Sequence, residues 1–372
     1  MQIAIDATPA LRQRGGVGRY ARELLRGLVQ ETLAHRFVLS AASNQAAIDA
    51  LLAELPPGAW REARRLPASE RVMTGLWQRL RAPLAVERWI GPHDLYHGTD
   101  FTLPPSRASR VVTIHDLSFE LCPEFCHPQL AKYLQAAVPR AVRSADAVIA
   151  VSASVAAELA ATYPAERAKI VAIPNGHSTA QVPHEEPGNG APVVLMVGTI
   201  EPRKNHLTVL RAMKSVRVAE PDARLVIVGR RGWMDDDIVA KIERARAAGW
   251  LTWHADAGDA ELEAAYSAAA IFVAASHYEG FGLPALEAMA RGVPCVLSDI
   301  AAHREVAGDA AWFAAATDPD EFAASITGLL ADADLRRALT LRGMTRGRAF
   351  SWRETARRTL RVYERTASGT MR

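Results

Sequence analysis

The chain has 372 residues, of which 49% are apolar and 23% are charged, so its composition excludes a disordered protein. The formal net charge is +3, which over this length is too small to indicate nucleic acid as a partner. No apolar run approaches the roughly 18 residues of a membrane-spanning helix, and the length favours two domains over one.

Short apolar strands alternate with helical stretches along the chain, which is typical of α/β domains with parallel sheets. The first residues, Met1–Asp6, predict a strand and not a secretory leader. Four strands are predicted on each side of Gln181–Pro192, a stretch of Pro, Gly, Glu and Asn with the composition of a linker. These strands are Gln2–Asp6, Phe37–Ala41, Val111–His115, Ala147–Val151, Val193–Gly198, Leu225–Gly229, Ile271–Ala275 and Cys295–Leu297.

The expected architecture is therefore two Rossmann-like α/β domains that face each other across a cleft. Residues 1–180 form the first domain, 181–192 the linker and 193–350 the second domain. Residues 351–372 contain a helical stretch, Trp352–Tyr363, that is expected to pack back on the first domain. Ligands of open α/β sheets bind beyond the carboxyl ends of the strands, so the cleft is the expected site.

A glycine-rich segment, Arg14-Gly-Gly-Val-Gly-Arg19, follows the first strand and leads into a helical pattern. Glycines at a helix start let backbone amides approach a phosphate, whose negative charge the helix dipole favours. Such glycines also serve as a plain tight turn. From the residues alone, both interpretations of Gly15 and Gly16 remain open.

The strongest signal is the segment from Ser276 to Arg291, in which Glu279 and Glu287 flank a Gly-Phe-Gly-Leu-Pro turn. Pro284 suits the first turn of a helix, so residues 280–283 are expected to present free backbone amides. Both carboxylates can then point toward one ligand, one toward a sugar and the other toward a ribose diol. The alternative makes Glu279 a surface residue and Glu287 a solvent-facing charge on the helix.

A second loop, Val197-Gly-Thr-Ile-Glu-Pro-Arg-Lys-Asn205, places Arg203 and Lys204 just after a buried strand. Two cations at the carboxyl end of a strand can neutralise the diphosphate of a leaving group. An ordinary solvated Arg-Lys pair is the alternative.

Taken together, these motifs resemble glycosyltransferase family 4, whose members are retaining enzymes with the two-Rossmann B-type fold. The resemblance runs from the first strand to about Phe350 and is most specific in the pair of glutamates. The motifs that carry it are Gly15-Gly16, His115-Asp116, Pro174-Asn175-Gly176, Glu201-Pro-Arg-Lys204 and Glu279-Gly-Phe-Gly-Leu-Pro-x-x-Glu287.

The resemblance implies a role for each matching residue. Glu287 would hold the ribose hydroxyls, Glu279 would contact the transferred hexose, and His115 would lie beside the reacting sugar. The residues implied in nucleotide-sugar binding are Gly15, Gly16, Gly198, Arg203, Lys204, Gly229, Phe281, Gly282, Leu283 and Glu287; those implied in catalysis are His115, Glu279, Lys204 and Arg203.

The donor is inferred from two segments, Glu201–Asn205 and Thr113–Phe119, which resemble those of bacterial polysaccharide mannosyltransferases that use GDP-mannose. UDP- and dTDP-sugars remain alternatives, and the acceptor is expected to be a glycan or a lipid-linked oligosaccharide. In one departure from the pattern, Thr199 stands where many relatives have arginine, so one phosphate contact is either missing or supplied elsewhere, with Arg203 and Arg230 as candidates.

Neither a cofactor nor a metal is expected. Asp235-Asp236-Asp237 contains the Asp-x-Asp pattern that binds a divalent cation in other glycosyltransferases, but here it precedes a helical stretch. Acids at a helix start are better explained as capping. Cys122 and Cys126 are followed by no second ligand pair, which favours free or buried thiols over a metal site.

Three sparse cysteines favour a reducing cytoplasm, with a membrane surface as a further expectation. Residues 60–90 mix seven arginines with Trp60, Trp77 and Trp89, a composition that suits an interfacial helix on an anionic membrane. It equally suits an ordinary surface helix with one buried face, and both interpretations remain open.

Two rival functions share much of this sequence pattern. A sugar-nucleotide epimerase or a phosphorylase could use the same fold, but a phosphorylase needs a pyridoxal-binding lysine that nothing in the sequence marks. A non-catalytic sugar-binding protein would not need the Arg203-Lys204 pair to neutralise a diphosphate.

Overall fold

The structure is a computed structural model that describes residues 1–13, 15–59, 61–178 and 190–370. It divides into two compact units. The first comprises Met1–Leu117, Lys132–Ser178 and Ser351–Arg372, and the second comprises Ser118–Ala131 and Thr179–Phe350. Over the described residues, none of the helices is long and apolar enough to cross a membrane.

The first unit is built on a parallel sheet of seven strands. They are β1 (Gln2–Asp6), β2 (Arg36–Ala41), β3 (Arg61–Arg65), β4 (Leu95–Gly98), β5 (Ser109–Ile114), β6 (Ala147–Ala150) and β7 (Ile170–Ala172). Their order across the sheet is β3-β2-β1-β4-β5-β6-β7. Ile3, Val112 and Val148 in the central strands are fully buried, as expected for a parallel sheet covered on both faces.

The second unit is built on a parallel sheet of six strands. They are β8 (Val193–Val197), β9 (Arg224–Val228), β10 (Leu251–His254), β11 (Ile271–Ala274), β12 (Cys295–Ser298) and β13 (Trp312–Ala314). Their order is β10-β9-β8-β11-β12-β13. Its core includes Val194, Ile227 and Val273 from the strands, against which Met213 and Phe322 of the covering helices pack.

Helices connect the strands in both units. Up to residue 178 they are α1 (Thr8–Arg12), α2 (Gly16–Glu31), α3 (Gln45–Glu54), α4 (Glu70–Thr74), α5 (Glu87–Ile90), α6 (Ser118–Leu121), α7 (Pro128–Ser144) and α8 (Ala153–Thr162). After residue 190 they are α9 (His206–Ala219), α10 (Asp236–Ala247), α11 (Asp259–Ala268), α12 (Leu283–Ala290), α13 (Ala301–Ala307), α14 (Pro319–Ala331), α15 (Ala333–Gly347) and α16 (Trp352–Ala367). Pro123–Phe125, Pro164–Lys169 and Pro202–Lys204 form 3-10 turns, and Gly75–Arg79 forms a π-helical turn.

The last helix, α16, packs against α2 in the first unit. A Cβ atom on Gly27 would lie 2.8 Å from Ala356 Cβ, so glycine in α2 permits the close approach. Tyr363 of α16 also reaches into the sheet, where its hydroxyl lies 2.6 Å from His97 Nδ1. The chain therefore returns to its first unit after completing the second.

All eight predicted strands are present, but the prediction missed β3, β4, β7, β10 and β13. Four of these five lie at sheet edges. An edge strand pairs on one side only and can carry polar residues, as β3 does with the sequence Arg-Glu-Ala-Arg-Arg. β3 therefore lacks the apolar run by which buried parallel strands are recognised, and β7 and β13 are apolar but only three residues long.

The segment of residues 60–90 is not one helix, which corrects the single helix that both sequence interpretations assumed. Trp60 lies outside the described residues, Arg61–Arg65 is a strand, and two short helices and a π-helical turn follow. The five arginine, glutamate and alanine residues of β3 pair in register with β2, which takes them out of any helical face.

The boundaries of the units also differ from the predicted ones. The predicted first domain contained Ser118–Ala131, which the structure groups with the second unit. The Phe125 ring stacks on His277 at 4.8 Å between ring centroids, and the Phe125 carbonyl accepts a hydrogen bond from Trp233 Nε1 at 2.9 Å. Of the predicted linker, residues 181–189 lie outside the described residues.

Candidate functional site

The predicted donor residues of the second unit lie in loops at one edge of its sheet. Strands β9, β8, β11 and β12 are neighbours and run parallel, so the loops that follow them emerge at the same edge. The loop after β8 carries the 3-10 turn Pro202–Lys204, and the loop after β11 leads into α12. Segments that are distant in sequence are thereby brought together.

Two glycines let the loops after β8 and β9 approach each other. A Cβ atom on Gly229 would lie only 1.9 Å from the carbonyl oxygen of Gly198, so no larger residue fits without moving the backbone. A Cβ atom on Gly198 would make an ordinary contact of 3.6 Å with the Lys204 side chain. Gly229 thus has a packing reason to be glycine, and the contact of both residues with a donor stays a prediction.

Arg203, Lys204 and Glu279 form one largely buried ionic cluster. Glu279 Oε1 accepts hydrogen bonds from Lys204 Nζ at 2.6 Å and from Ser276 Oγ at 2.7 Å, and its Oε2 accepts one from Arg203 Nη1 at 3.0 Å. The Arg203 and Lys204 side chains are each 14% exposed and that of Glu279 is 9% exposed. The alternatives of a solvated Arg-Lys pair and a surface Glu279 are therefore wrong.

Glu201 completes this cluster; the sequence places it in the Glu201-Pro-Arg-Lys204 motif but predicts no role for its side chain. It is 2% exposed, and its Oε1 lies 2.7 Å from Arg203 Nη2. Burial alone would raise the pKa of Glu279, but Lys204 and Arg203 hold that pKa well below its usual range. With two cations and two carboxylates, the cluster of Glu201, Arg203, Lys204 and Glu279 is formally neutral.

The predicted helix start after Glu279 is confirmed. Gly282 adopts a left-handed conformation with φ of +101°, a region that favours glycine, and α12 begins at Leu283. The first amides of a helix have no partner within it, so the backbone here presents hydrogen-bond donors. The Phe281 side chain is 4% exposed with its ring against Phe350, so a ligand would meet its backbone and not its ring.

Glu287 lies one turn inside α12 and is 4% exposed. The hydroxyl of Tyr266 donates a hydrogen bond to Glu287 Oε2 at 3.2 Å, and the guanidinium of Arg291 lies 4.4 Å above the Tyr266 ring. The alternative of a solvent-facing helical charge is wrong. The role of Glu287 at a ribose stays a prediction.

His303 and Ser298 border the same loops and were also missed. His303 in α13 is 1% exposed, and its Nδ1 lies 3.1 Å from the carbonyl oxygen of Ser298 and 3.0 Å from Ser298 Oγ. A Cβ atom on Gly282 would lie 3.2 Å from His303 Cδ2. The available sequence signal was a histidine at a helix start just after the Cys295–Ser298 strand.

His115 occupies the corresponding edge of the first unit, after β5. It is 7% exposed, its Nε2 donates to the carbonyl of Thr99 at 2.8 Å, and its ring meets those of Tyr20 and Phe101 edge-on. Burial lowers its pKa, so the ring is neutral near pH 7. A histidine with a purely structural role would make the same hydrogen bond to a backbone carbonyl. The position of His115 beside a reacting sugar stays a prediction.

Gly15 caps the N-terminus of α2 and Gly16 is the first residue of that helix, as the sequence predicts. Arg14 lies outside the described residues. A Cβ atom on Gly15 would have no described atom within 4 Å, whereas one on Gly18 would lie 1.7 Å from the Gln13 carbonyl oxygen. Packing therefore explains the glycine at 18 but not that at 15, and phosphate binding by Gly15 and Gly16 stays a prediction.

The Asp235–Asp237 run lies at the start of α10. Asp235 is bound by Arg231 at 2.9 and 3.1 Å, which lowers the pKa of its carboxyl, while Asp236 and Asp237 lie in the first helical turn. Negative side chains in the first turn of a helix interact favourably with the helix dipole and so stabilise the helix. Within the described ranges, no three His, Cys, Asp or Glu residues are grouped to hold a metal ion.

Comparison with known proteins identifies the chain. The sequence profile of Glycosyltransferase Family 4 matches residues 14–181, and that of Glycosyl transferases group 1 matches residues 179–345. O-antigen chain mannosyltransferase B of Escherichia coli is 30% identical over 394 aligned positions, which cover 98% of this chain and all of that protein. The chain belongs to glycosyltransferase family 4.

Other similarities agree with this assignment. Phosphatidyl-myo-inositol mannosyltransferase of Mycolicibacterium smegmatis is 33% identical over 54% of this chain and 52% of its own length. Among solved structures, sucrose-phosphate synthase from Thermosynechococcus elongatus has a TM-score of 0.73 at 19% identity, covering 99% of this chain and all of that one. Anabaena HepE in complex with UDP and glucose has a TM-score of 0.71 at 16% identity, covering 98% and 99%. The predicted B-type glycosyltransferase fold is confirmed.

Proposed function

We propose that this glycosyltransferase moves mannose from GDP-mannose to a glycan or a lipid-linked oligosaccharide in cell-surface polysaccharide synthesis. The observation that carries the proposal is the largely buried cluster of Arg203, Lys204 and Glu279 beside the start of α12. Mannose as the sugar is supported by similarity to the E. coli O-antigen mannosyltransferase over its whole length.

The diphosphate, the ribose and the sugar of the donor each have a candidate partner of suitable chemistry in the second unit. Arg203, Lys204 and the backbone amides of Phe281–Leu283 would bind the diphosphate, since cations and helix-start amides both attract anions. The Glu287 carboxylate would accept hydrogen bonds from the ribose hydroxyls. Glu279, next to the cations, would accept one from a hydroxyl of the mannose.

The reaction breaks the bond between the anomeric carbon and the diphosphate and forms one to the acceptor oxygen on the same face of the sugar. Negative charge grows on the departing diphosphate, where Arg203, Lys204 and the amides stabilise it. The acceptor proton passes to a phosphate oxygen of the leaving group. The configuration of the sugar is thereby retained without a protein nucleophile or a metal ion.

The first unit would supply the remaining contacts. Gly15 and Gly16 would bring backbone amides to the phosphates, which accounts for an exposed glycine that packing does not require. His115, neutral and held by Thr99, would lie beside the reacting sugar.

The donor is tested by calorimetric titration of the full chain with GDP, UDP and dTDP, each in excess chelator. The proposal predicts tight binding of GDP and at least tenfold weaker binding of the other two, about 1.4 kcal/mol of discrimination. Tighter binding of UDP or dTDP would mean that the donor is a UDP- or dTDP-sugar and not GDP-mannose. If no nucleotide binds, a non-catalytic sugar-binding protein is favoured.

A membrane contact on the inner leaflet is the second part of the proposal, and its place is the Arg79–Leu84 turn. Leu80 is 77% exposed and Leu84 is 38% exposed, with Arg79 and Arg81 exposed between and beside them. Trp77 holds the turn closed by donating from Nε1 to the Leu84 carbonyl at 2.9 Å. Apolar tips flanked by arginines suit insertion at an anionic lipid surface.

The charge around this turn supports the choice of an anionic partner. The three glutamates of the segment are engaged within the protein: Glu62 with Arg64, Glu70 with Arg12, and Glu87 with Ser106 and the Arg107 amide. Arg79 and Arg81 at the tip are exposed, and no ion pair joins either of them to a carboxylate in the part of the chain that the structure describes.

Vesicle sedimentation tests the membrane contact. The wild type is expected to sediment with phosphatidylcholine vesicles that contain phosphatidylglycerol but not with phosphatidylcholine alone, and salt should weaken this binding. Leu80→Ser and Arg81→Ser should each weaken it several-fold, since a basic residue near the surface contributes about 1 kcal/mol. Leu341→Ser, at another exposed leucine, is the matched control. Equal sedimentation of all four proteins would contradict the assignment.

A further inference from the structure

The imidazole of His303 is fixed in one orientation by a chain of hydrogen bonds that ends at Glu279. Ser298 Oγ donates to the carbonyl oxygen of Ser276 at 2.6 Å, and His303 Nδ1 lies 3.0 Å from Ser298 Oγ and 3.1 Å from the Ser298 carbonyl. The Ser276 hydroxyl in turn donates to Glu279 at 2.7 Å. The ring is thus tied to the loop that carries the candidate donor cluster.

These contacts also fix the tautomer of the neutral ring. A backbone carbonyl can only accept, so Nδ1 carries the hydrogen that is donated to Ser298. Nε2 therefore bears the lone pair. It lies on the ring edge that faces Gly282, where a Cβ atom would be 3.2 Å from Cδ2 and 3.7 Å from Nε2.

The electrostatic balance of the site favours a further positive charge when an anion binds. Glu201 and Glu279 already compensate Arg203 and Lys204, so the cluster is formally neutral. A nucleoside diphosphate brings about two negative charges or more. In a buried site such charges need a partner, and a titratable imidazole can become one by binding a proton.

We propose that His303 is a positioning residue of the donor loop, which holds Gly282 in its left-handed conformation and takes up a proton from solvent when the diphosphate binds. The proposal rests on the proposed function, because it assumes that the loop of residues 280–283 receives a nucleoside diphosphate. The proton goes to Nε2, and the imidazolium then adds the charge that the neutral cluster lacks.

The charged groups around the ring set the direction of the effect. Burial and the nearby Lys204 lower the pKa of His303, whereas Glu279 raises it. Burial has the largest effect, so the pKa of His303 lies below its usual range. On its own helix, Arg304 is engaged by Asp299 at the surface. A bound anion favours the imidazolium, so the pKa rises on binding. Affinity is then highest at low pH and falls as pH rises from the free-state to the bound-state pKa.

The test is calorimetry of nucleoside diphosphate binding by the full chain in buffers of different ionisation enthalpy, which counts the protons taken up. His303→Asn is the main variant, because its amide N–H can replace Nδ1 toward Ser298 but it has no group that titrates. The wild type is expected to take up a fraction of a proton near neutral pH and to lose affinity with rising pH by up to about tenfold per pH unit. The variant should show neither effect beyond the titration of the nucleotide itself.

His206 provides the matched control. It is fully buried in the same unit, and its two ring nitrogens have no hydrogen-bond partner among the described residues. Burial lowers its pKa, and the nearby Lys204 lowers that pKa further. His206→Asn is expected to keep the proton uptake of the wild type. Uptake that persists in His303→Asn, or that disappears in His206→Asn, overturns the inference while nucleotide binding still supports the proposed function. If the wild type binds no nucleotide, the proposed function itself is contradicted.

Discussion

Replacing Glu279 with glutamine is expected to lower kcat/KM for sugar transfer by roughly 100- to 1000-fold, the range for losing one preorganised electrostatic contact. The neutral amide would leave Arg203 and Lys204 with less compensating charge and would place an N–H group against one of them. The cations would then turn away from the diphosphate or bind it in a changed geometry. Steady-state transfer rates measure the loss.

Glu31→Gln is the matched control for this substitution. Glu31 is also a largely buried carboxylate with two cationic partners, Arg353 and Arg357, each at 2.5 Å, but it lies in the first unit at the end of α2. It should lose stability without a comparable loss of transfer. If both variants fold and lose the same fraction of activity, the loss in Glu279→Gln comes from general destabilisation. The proposed contact of Glu279 with the sugar is then contradicted.

Replacing Glu287 with alanine is expected to weaken binding of the cognate nucleoside diphosphate by about 1 to 3 kcal/mol, the range for losing hydrogen bonds to a charged group. At 1.4 kcal/mol per factor of ten, this is about five- to 150-fold in Kd. The buried carboxylate is the acceptor that a ribose diol requires, and Tyr266 holds its Oε2. Isothermal calorimetry measures the change.

Two milder variants separate ribose binding from support of the helix. Glu287→Gln keeps the volume and one acceptor and should weaken binding less than alanine does. Tyr266→Phe removes the hydroxyl that orients the carboxylate and should have a smaller effect still. Wild-type affinity in a folded Glu287→Ala variant would mean that the ribose is held elsewhere.

Much of the fold could be predicted because buried parallel strands are short apolar runs. β1, β8 and β11 are of this kind. Short edge strands such as β7 and β13, of three residues each, give a weaker signal. β3 is largely charged, and its sequence pattern suits a helical face as well as a strand. What makes it a strand is pairing with β2, a tertiary contact that no local pattern reports.

The candidate site was predictable where one continuous motif carries it. The Gly-Phe-Gly-Leu-Pro turn fixes the start of α12 through Gly282 and Pro284, which are local effects of φ preference. The roles of Glu201 and His303 were missed because they depend on partners in other loops. Neither the pairing of Glu201 with Arg203 across a turn nor the packing of His303 against Gly282 follows from sequence spacing.

The most direct test of the central claim is the anomeric configuration of the product formed from GDP-α-mannose. The full chain is incubated with this donor, a panel of alkyl glycoside acceptors and excess EDTA, and the product is examined by NMR. If the cluster of Arg203, Lys204 and Glu279 serves in place of a divalent cation and the reaction proceeds on one face of the sugar, an α-mannoside forms at an undiminished rate. A β-mannoside, turnover that requires magnesium or manganese, or transfer from UDP-sugars alone would contradict this account.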